Sequence, residues 1–467
     1  MNNRMRKAGL LAMLPLALAP SARAASVTIS PLPGTVAASP GTQISFLGAQ
    51  PSRLHGIVVV GSATGRHSGR LRRYASAPGA SFIPSRPFRP GEHVAVSATL
   101  RAGGHVYPLS TSFSVAQPMK VSSAGLKRTT GSSADEQRFL SAPSLRPPIV
   151  TIDKSTSSAP GLLFAAPFRG PAQYGPMIFD DQGNLVWFRP LPAGEQAADF
   201  RVQRYGGRDV LTWWQGRMLS VGYGLGVDVI ADWRYRKLAV LRAGNGLHAD
   251  DHDFRLTAHG QALLTAYSPI ESTTSGLTLD RVVQEIDPRT GLVMREWHSL
   301  GSVPVANPRS VQLLPDGDRL LSGAGLPTFT ESDSSGETVL AGRMPDGDTS
   351  FGVYRYPWVG RPEQAPAVAA VQWRAFGACK VPACRRSATL ETTAYMSWNG
   401  STEVASWRVL GGASRDYLLP LAEVKRSGFE TNVTLPGLAT YVQAQALGAS
   451  GKVLASSNIV KSKGVSE

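Results

Sequence analysis

The chain has 467 residues, 42% of them apolar, with 48 glycines and 34 prolines, a composition that excludes a disordered, collagenous or membrane-spanning transporter chain. Only 17% of residues are charged, which argues against long exposed helices and coiled coils. The formal net charge is +15. At roughly 100 to 200 residues per domain, two to four domains are expected, with ample chain for a core.

Residues 1–24 read as an export leader. Arg4, Arg6 and Lys7 form a basic start, Leu10 to Pro20 is apolar, and Ala22-Arg23-Ala24 is a small-residue cleavage site. Cleavage after Ala24 removes four basic residues and no acids, leaving +11. The apolar run is shorter than the roughly 18 residues of a transmembrane helix, so a secreted or cell-surface protein is expected. The remaining excess favours anionic partners in general. Its densest cluster is Arg70, Arg72 and Arg73 with no aromatic platform, so a solvated surface is expected and no nucleic acid.

From 25 to 117, short alternating segments such as Thr42 to Leu47, Gly56 to Val60 and His93 to Thr99 are separated by Pro-Gly turns. That rhythm predicts an Ig-like β-sandwich. Residues 118–160 are rich in Ser and Pro, lack periodicity and read as a linker.

After Gly161 a unit recurs: a turn containing glycine, then an apolar strand. It appears at Asp181 to Trp187, Ala258 to Leu264, Asp287 to Val293, Pro315 to Leu321 and Asp333 to Val339. Glycine supplies the positive φ of a hairpin turn, and the run after it a strand buried on both faces. Recurring hairpins predict a β-propeller over 161–364; the 198 residues from Gly161 to Trp358, at about 40 to 45 per blade, make four to five blades. Residues 365–467 form a last all-β unit, a fibronectin type III-like sandwich with Trp398 and Trp407 in its core. Cys379 and Cys384, in C-K-V-P-A-C of an exported chain, are expected to form one small-loop disulfide. Their spacing is not that of a redox pair, and no histidine follows His298 to complete a zinc site.

Several ordered strings strongly resemble the exported, nucleotide-independent bacterial arylsulfotransferase family: G-P-M-I-F-D-D-Q-G-N-L-V-W-F-R-P-L (175–191), D-F-R-V-Q-R-Y-G-G-R-D-V-L-T-W-W-Q-G (199–216), H-A-D-D-H-D-F-R-L-T (248–257) and Q-E-I-D-P-R-T-G-L-V-M-R-E-W-H-S-L (284–300). Y-R-Y-P-W-V-G-R-P (354–362) and S-W-N-G-S-T-E-V-A-S-W-R-V-L (397–410) are similar to the distal end of its actinobacterial branch. The resemblance implies a six-bladed propeller that moves a sulfuryl group from a phenolic sulfate to a phenol acceptor through a sulfated histidine, without a cofactor. Imidazole is a nucleophile at neutral pH, and neighbouring donors stabilise charge on the sulfate oxygens and the leaving phenolate.

His252, in D-D-H-D-F, matches a family histidine placed near the sulfate oxygens. The family segments resembling H-I-N-S, R-L-G-G, Q-H-D and F-D-N-G, which bring the nucleophilic histidine, are absent after W-H-S-L. Val311 onward already resembles the last blade, so the middle blades are missing and the expected propeller is incomplete. Without the family, His252 reads as a histidine bonded within its acidic turn. His248 and His252 lie four apart, but the segment lacks the glutamate of H-E-x-x-H, follows a turn and precedes a strand, so no metal is expected. His298 reads as structural.

Trp213 and Trp214 are adjacent and so point to opposite faces of a strand; one at most lines a channel, and core packing is the default for both. Arg204, Arg217 and Tyr267 are candidates to contact an anionic aryl sulfate. Two alternatives remain: a catalytically silent exported propeller that binds an anionic or aromatic ligand or an envelope component, and a quinoprotein dehydrogenase. The latter is disfavoured because Asp287-Pro-Arg-Thr-Gly291 stands five residues, not three, before Trp297 and occurs once.

Overall fold

The computed structural model describes residues 27–272, 276–300, 310–322, 326–376 and 388–464. Among these the chain is all-β: the named strands pair antiparallel in seven sheets, joined by two 3-10 turns, Pro51–Arg53 and Ser133–Asp135. No helix is long and apolar enough to cross a membrane. Cys379 and Cys384 lie outside the described residues.

The N-terminal part has two four-stranded sheets. One orders Thr28–Ser30, Ile44–Leu47, Gly79–Pro84 and Gly69–Arg73; the other orders Gly65–Arg66, Leu54–Gly61, His93–Ala102 and His105–Ser114. Alternation in His93–Ala102 turns Val94, Val96, Ala98 and Leu100 onto a shared core with Phe46, Phe82 and Phe113. The C-terminal part likewise pairs a sheet of Ala367–Phe376, Ala388–Ser397 and Glu430–Leu435 with one built on Ser406–Ser414 and Tyr441–Leu447. Trp407 is buried in the core of this part, and Trp398 packs against it.

Three sheets lie between these parts; the eight-stranded one divides into two four-stranded units, II and III. Sheet I orders Val353–Tyr356, Leu162–Ala165, Met177–Phe179 and Leu185–Phe188. Sheet II holds Gln196–Tyr205, Arg208–Met218, Gly224–Ala231 and Lys237–Leu241, and sheet III holds Ala249–Leu256, Ala262–Ser272, Gly276–Asp287 and Leu292–His298. A single residue pair, Gly226 with Ala249, joins the ladders of II and III. Sheet IV runs Ser310–Leu313, Arg319–Ser322, Thr328–Ser332, Thr338–Arg343 and then Thr151–Ser155. The five repeated turns are all formed, and their glycines take the left-handed conformation; at Gly183 and Gly291 φ is 79° and 70°.

Three cores link these sheets in the order IV–I–II–III: Leu163, Phe179, Phe329 and Leu340 between IV and I; Phe164, Trp187, Phe200 and Trp213 between I and II; Trp214, Ile230, Phe254 and Leu264 between II and III. Among the described residues no such core joins III to IV. The outer face of III exposes Val283 and Trp297, and the outer face of IV exposes Val311, Leu313 and Leu321, with Leu313 at 70%. One expectation is thereby corrected. Arg319–Ser322, read as buried on both faces, alternates exposed and buried because no sheet among the described residues covers its outer side.

The segment 118–160 is also more ordered than a linker. It crosses sheet III at Pro118–Ile270 and sheet II at Gly125–Leu219, then carries a capping box at Ser132 and Asp135. It buries Leu145 and Val150 and supplies Thr151–Ser155 as the outer strand of sheet IV. Composition reports missing periodicity, whereas such a segment is fixed by a few backbone bonds and two apolar anchors.

Interfaces between the parts are polar and specific. Asn399 accepts from Phe188 N at 2.9 Å and donates to Phe188 O at 2.8 Å, and Tyr235 donates to Gly400 O at 2.7 Å, so the W-N-G string docks the C-terminal part on sheet I and on a turn of sheet II.

Candidate functional site

Strand Ala249–Leu256 enters sheet III irregularly: its ladder to the next strand breaks between Ala249 and Phe254. The interrupted residues include Asp250, Asp251 and His252, so consecutive side chains gather instead of alternating. His252 Nδ1 lies 2.5 Å from Asp250 Oδ2 and 3.8 Å from Asp251 Oδ1. Both carboxylates are buried, while the histidine side chain is 39% exposed. Gly224 N donates to Asp250 Oδ1 at 2.8 Å from sheet II. A Cβ at Gly224 would collide with the Trp214 ring and the Asp251 carboxylate. Gly224→Ala is therefore expected to cost about 1–3 kcal/mol by overpacking and to disturb the Asp-Asp-His group; urea unfolding with far-UV circular dichroism checks it.

The electrostatics of the group are split. Burial opposes ionisation of Asp250, but the hydrogen bond and charge of His252, with the Gly224 amide, hold that carboxyl below its ordinary value. Burial, and then the charge of Asp250, push Asp251 well above the usual carboxylate range. The hydrogen bond to Asp250, working against burial, holds His252 above its ordinary value. The imidazole therefore faces the surface with its charged form favoured by a buried carboxylate.

Aromatic rings frame it. The Tyr267 ring lies 5.6 Å and the Phe351 ring 5.9 Å from the imidazole, and Tyr223 stacks on Tyr267 at 5.4 Å. The Arg281 guanidinium sits 5.9 Å from the Tyr267 centroid. Of the sequence candidates, the structure thus brings His252 and Tyr267 together. Arg217 is exposed opposite Leu225, and no hydrogen bond or ion pair joins it to His252 among the described residues. Arg204 is exposed at the far hairpin, paired with Asp209. Trp213 and Trp214 do point to opposite faces, but both rings are buried, Trp213 between sheets I and II and Trp214 between II and III. Trp214 donates to Ala249 O at 2.8 Å, so it holds the strand that carries His252 instead of meeting a ligand. His248 is exposed and outside the Asp-Asp-His group.

Phe351, Tyr223 and Arg281 escape a reading of the sequence. Phe351 stands just before the sheet I strand Val353–Tyr356, and only Asp250, within the same string as His252, carried a local signal. A buried cluster nearby also went unread: Arg201 pairs with Asp199, and its Nη2 donates to the Tyr354 hydroxyl at 3.0 Å. Two clefts lie elsewhere. One of about 680 Å³ is lined by Trp233, Arg361, Trp398 and Glu403, and one of about 500 Å³ by Arg204, His259 and Arg289.

His298 has a different setting. Its side chain is 4% exposed, with Nδ1 2.5 Å from Asp280 Oδ2 and Nε2 3.0 Å from Glu296 Oε1. Burial alone would lower its pKa, but hydrogen bonds to the two carboxylates and their charges raise it to about 9.

Among curated proteins none matches the chain. Among solved structures, a quinonprotein alcohol dehydrogenase-like protein from Bacteroides thetaiotaomicron VPI-5482 is 8% identical, with 70% of this chain and 99% of that one covered and a TM-score of 0.15. An S-layer protein is 11% identical, with 90% and 57% covered and a TM-score of 0.17. At such scores neither likeness bears on fold or function. Residues 201–309, which include His252, Tyr267 and His298, match the family model described as Arylsulfotransferase (ASST).

Proposed function

We propose that this chain is an exported arylsulfotransferase-like protein in which His252 meets the sulfate oxygens of an aryl sulfate, and that it turns such esters over poorly. In this reading sheets I to IV are the blades of an incomplete propeller, flanked by an Ig-like sandwich at 25–117 and a fibronectin type III-like one at 365–467. The uncovered faces of III and IV support missing blades, because a closed ring would bury Val283, Trp297, Val311 and Leu313.

The observation that carries the reading is the half-exposed His252 imidazole, its charged form favoured by buried Asp250, framed by Tyr267 and Phe351. A cation beside aromatic walls suits an anionic group on an aryl ring. Weak turnover follows from the eight histidines ending at His298, itself enclosed between two carboxylates. Without a free nucleophile the two-step route has no covalent intermediate.

The test incubates purified mature protein with 4-nitrophenyl sulfate and phenol. Saturable binding with negligible nitrophenolate release is expected; rapid ping-pong transfer with a sulfated histidine in the mass spectrum would overturn the reading. His252→Ala is expected to weaken aryl sulfate binding about tenfold or more, the worth of one charge-assisted hydrogen bond, with the circular dichroism spectrum unchanged. Because the His252 pKa is raised, its charge and the binding it supports are complete at low pH and lost as pH rises through the raised value above 6.5. A second reading, a silent binder of an anionic aromatic ligand, uses the same site and differs only in showing no turnover.

A further inference from the structure

We propose that Asp250, Asp251 and His252 form a site for a divalent first-row transition metal ion. One ligand atom from each residue falls within 4.8 Å of the others. Asp251 is 2% exposed, and its Oδ1, 3.8 Å from His252 Nδ1, meets no N–H or hydroxyl donor; its side chain is hydrogen-bonded to the neighbouring Asp250 carboxyl. A buried carboxylate oxygen left unpaired is costly, and buried charges are normally paired or bound to metals. No lysine or arginine forms an ion pair with Asp250 or Asp251 among the described residues. Asp228, on the neighbouring strand of sheet II, is likewise fully buried with neither carboxylate oxygen bonded.

The surroundings hold the ligands in place. The Gly224 amide takes Asp250 Oδ1 and so orients Oδ2 toward the group, and the missing Cβ at Gly224 makes room for the Asp251 carboxylate. Two carboxylate oxygens and an imidazole nitrogen suit Mn²⁺ or Zn²⁺ better than the all-oxygen preference of Ca²⁺ or Mg²⁺. The 2.5 Å separation of His252 Nδ1 from Asp250 Oδ2 is a hydrogen-bond distance. Ligands about 2.1 Å from one ion stand about 3 Å apart, so binding replaces the proton between them and turns the exposed ring slightly. The partial exposure of His252 gives the ion a route from solvent and leaves positions open to water or an anion.

The proposal does not depend on the aryl sulfate reading, and its test contains no sulfate. Full-length mature protein is treated with a chelator, desalted and titrated with Mn²⁺ by calorimetry and electron paramagnetic resonance. One equivalent is expected to bind, with a nitrogen coupling from His252, and the melting temperature is expected to rise with Mn²⁺. Asp251→Asn should weaken binding at least tenfold, and His252→Ala should remove the nitrogen coupling, both with unchanged circular dichroism. No binding of Mn²⁺ or Zn²⁺ at millimolar concentration, or binding unchanged in both variants, overturns the site. So does a wild type indifferent to Mn²⁺ whose Asp251→Asn variant melts higher, the behaviour of two carboxyls that merely share a proton. Aryl sulfate binding measured separately on the chelator-treated protein tells failure of the metal site from failure of the sulfate reading.

Discussion

Replacing His298 by alanine is expected to destabilise the protein by about 3 kcal/mol at neutral pH, and to remove most of its loss of stability between pH 6.5 and 9. The imidazole bridges two buried carboxylates, Asp280 and Glu296, at 2.5 and 3.0 Å. Its pKa is raised from the ordinary 6.5 to about 9, so the folded state holds a proton that the unfolded state releases across that interval. The stabilisation is complete below 6.5 and is lost as pH rises through 9. Removing the ring leaves the two acids facing one another, the condition under which breaking a buried pair is most damaging.

The effect reaches beyond sheet III. Glu296 Oε2 also accepts from Asn245 Nδ2 at 2.8 Å and from Gln284 Nε2 at 2.5 Å. Asn245 in turn donates to Thr42 Oγ1 at 3.1 Å and accepts from Gln43 N at 3.1 Å, in the N-terminal part. His298→Ala should therefore loosen the docking of that part, visible as faster amide exchange around Thr42. Urea unfolding at pH 6.5 and 9.5 measures the main effect. A variant that keeps the wild-type pH dependence would show that the charge on His298 is not its source.

Trp214→Ala is expected to be at least as severe, costing about 3–5 kcal/mol, and to abolish aryl sulfate binding. The ring is 1% exposed, and a Cβ at Gly216, Gly224 or Gly226 would strike it, so three glycines make the space it fills. Its indole N–H is a tie between sheet II and strand Ala249–Leu256, whose ladders otherwise meet in one residue pair. Losing it loosens the start of the strand that carries Asp250, Asp251 and His252, whose far end Asp199 and Gln203 still hold to sheet II. Trp213→Ala is the matched control. That ring is also buried, but between sheets I and II, so a similar loss of stability should leave aryl sulfate affinity in the folded fraction intact. A Trp214→Ala protein within 1 kcal/mol of wild type, or one that binds aryl sulfate normally, would remove Trp214 from this role.

Local chemistry made much of the molecule legible in its sequence. Glycines at the repeated turns announced the hairpins, because positive φ is open to glycine without steric cost, and they take it at Gly183 and Gly291. Alternation in His93–Ala102 announced a strand with one buried face. Adjacency alone placed Trp213 and Trp214 on opposite faces, and His252 stood out within an ordered string of acids. Tertiary structure decided the rest. Whether a tryptophan lines a site or fills a core depends on what stands across the sheet, and only the packing of I, II and III buries both rings. Phe351 reaches His252 from about a hundred residues away, which no local pattern encodes. The Ser- and Pro-rich segment gained order because Thr151–Ser155 found an open edge on sheet IV, and Leu321 remained exposed because no described residue packs a core on that sheet's outer face. Backbone preference acts within a few residues, whereas burial and unpaired charge are properties of whatever the fold brings alongside.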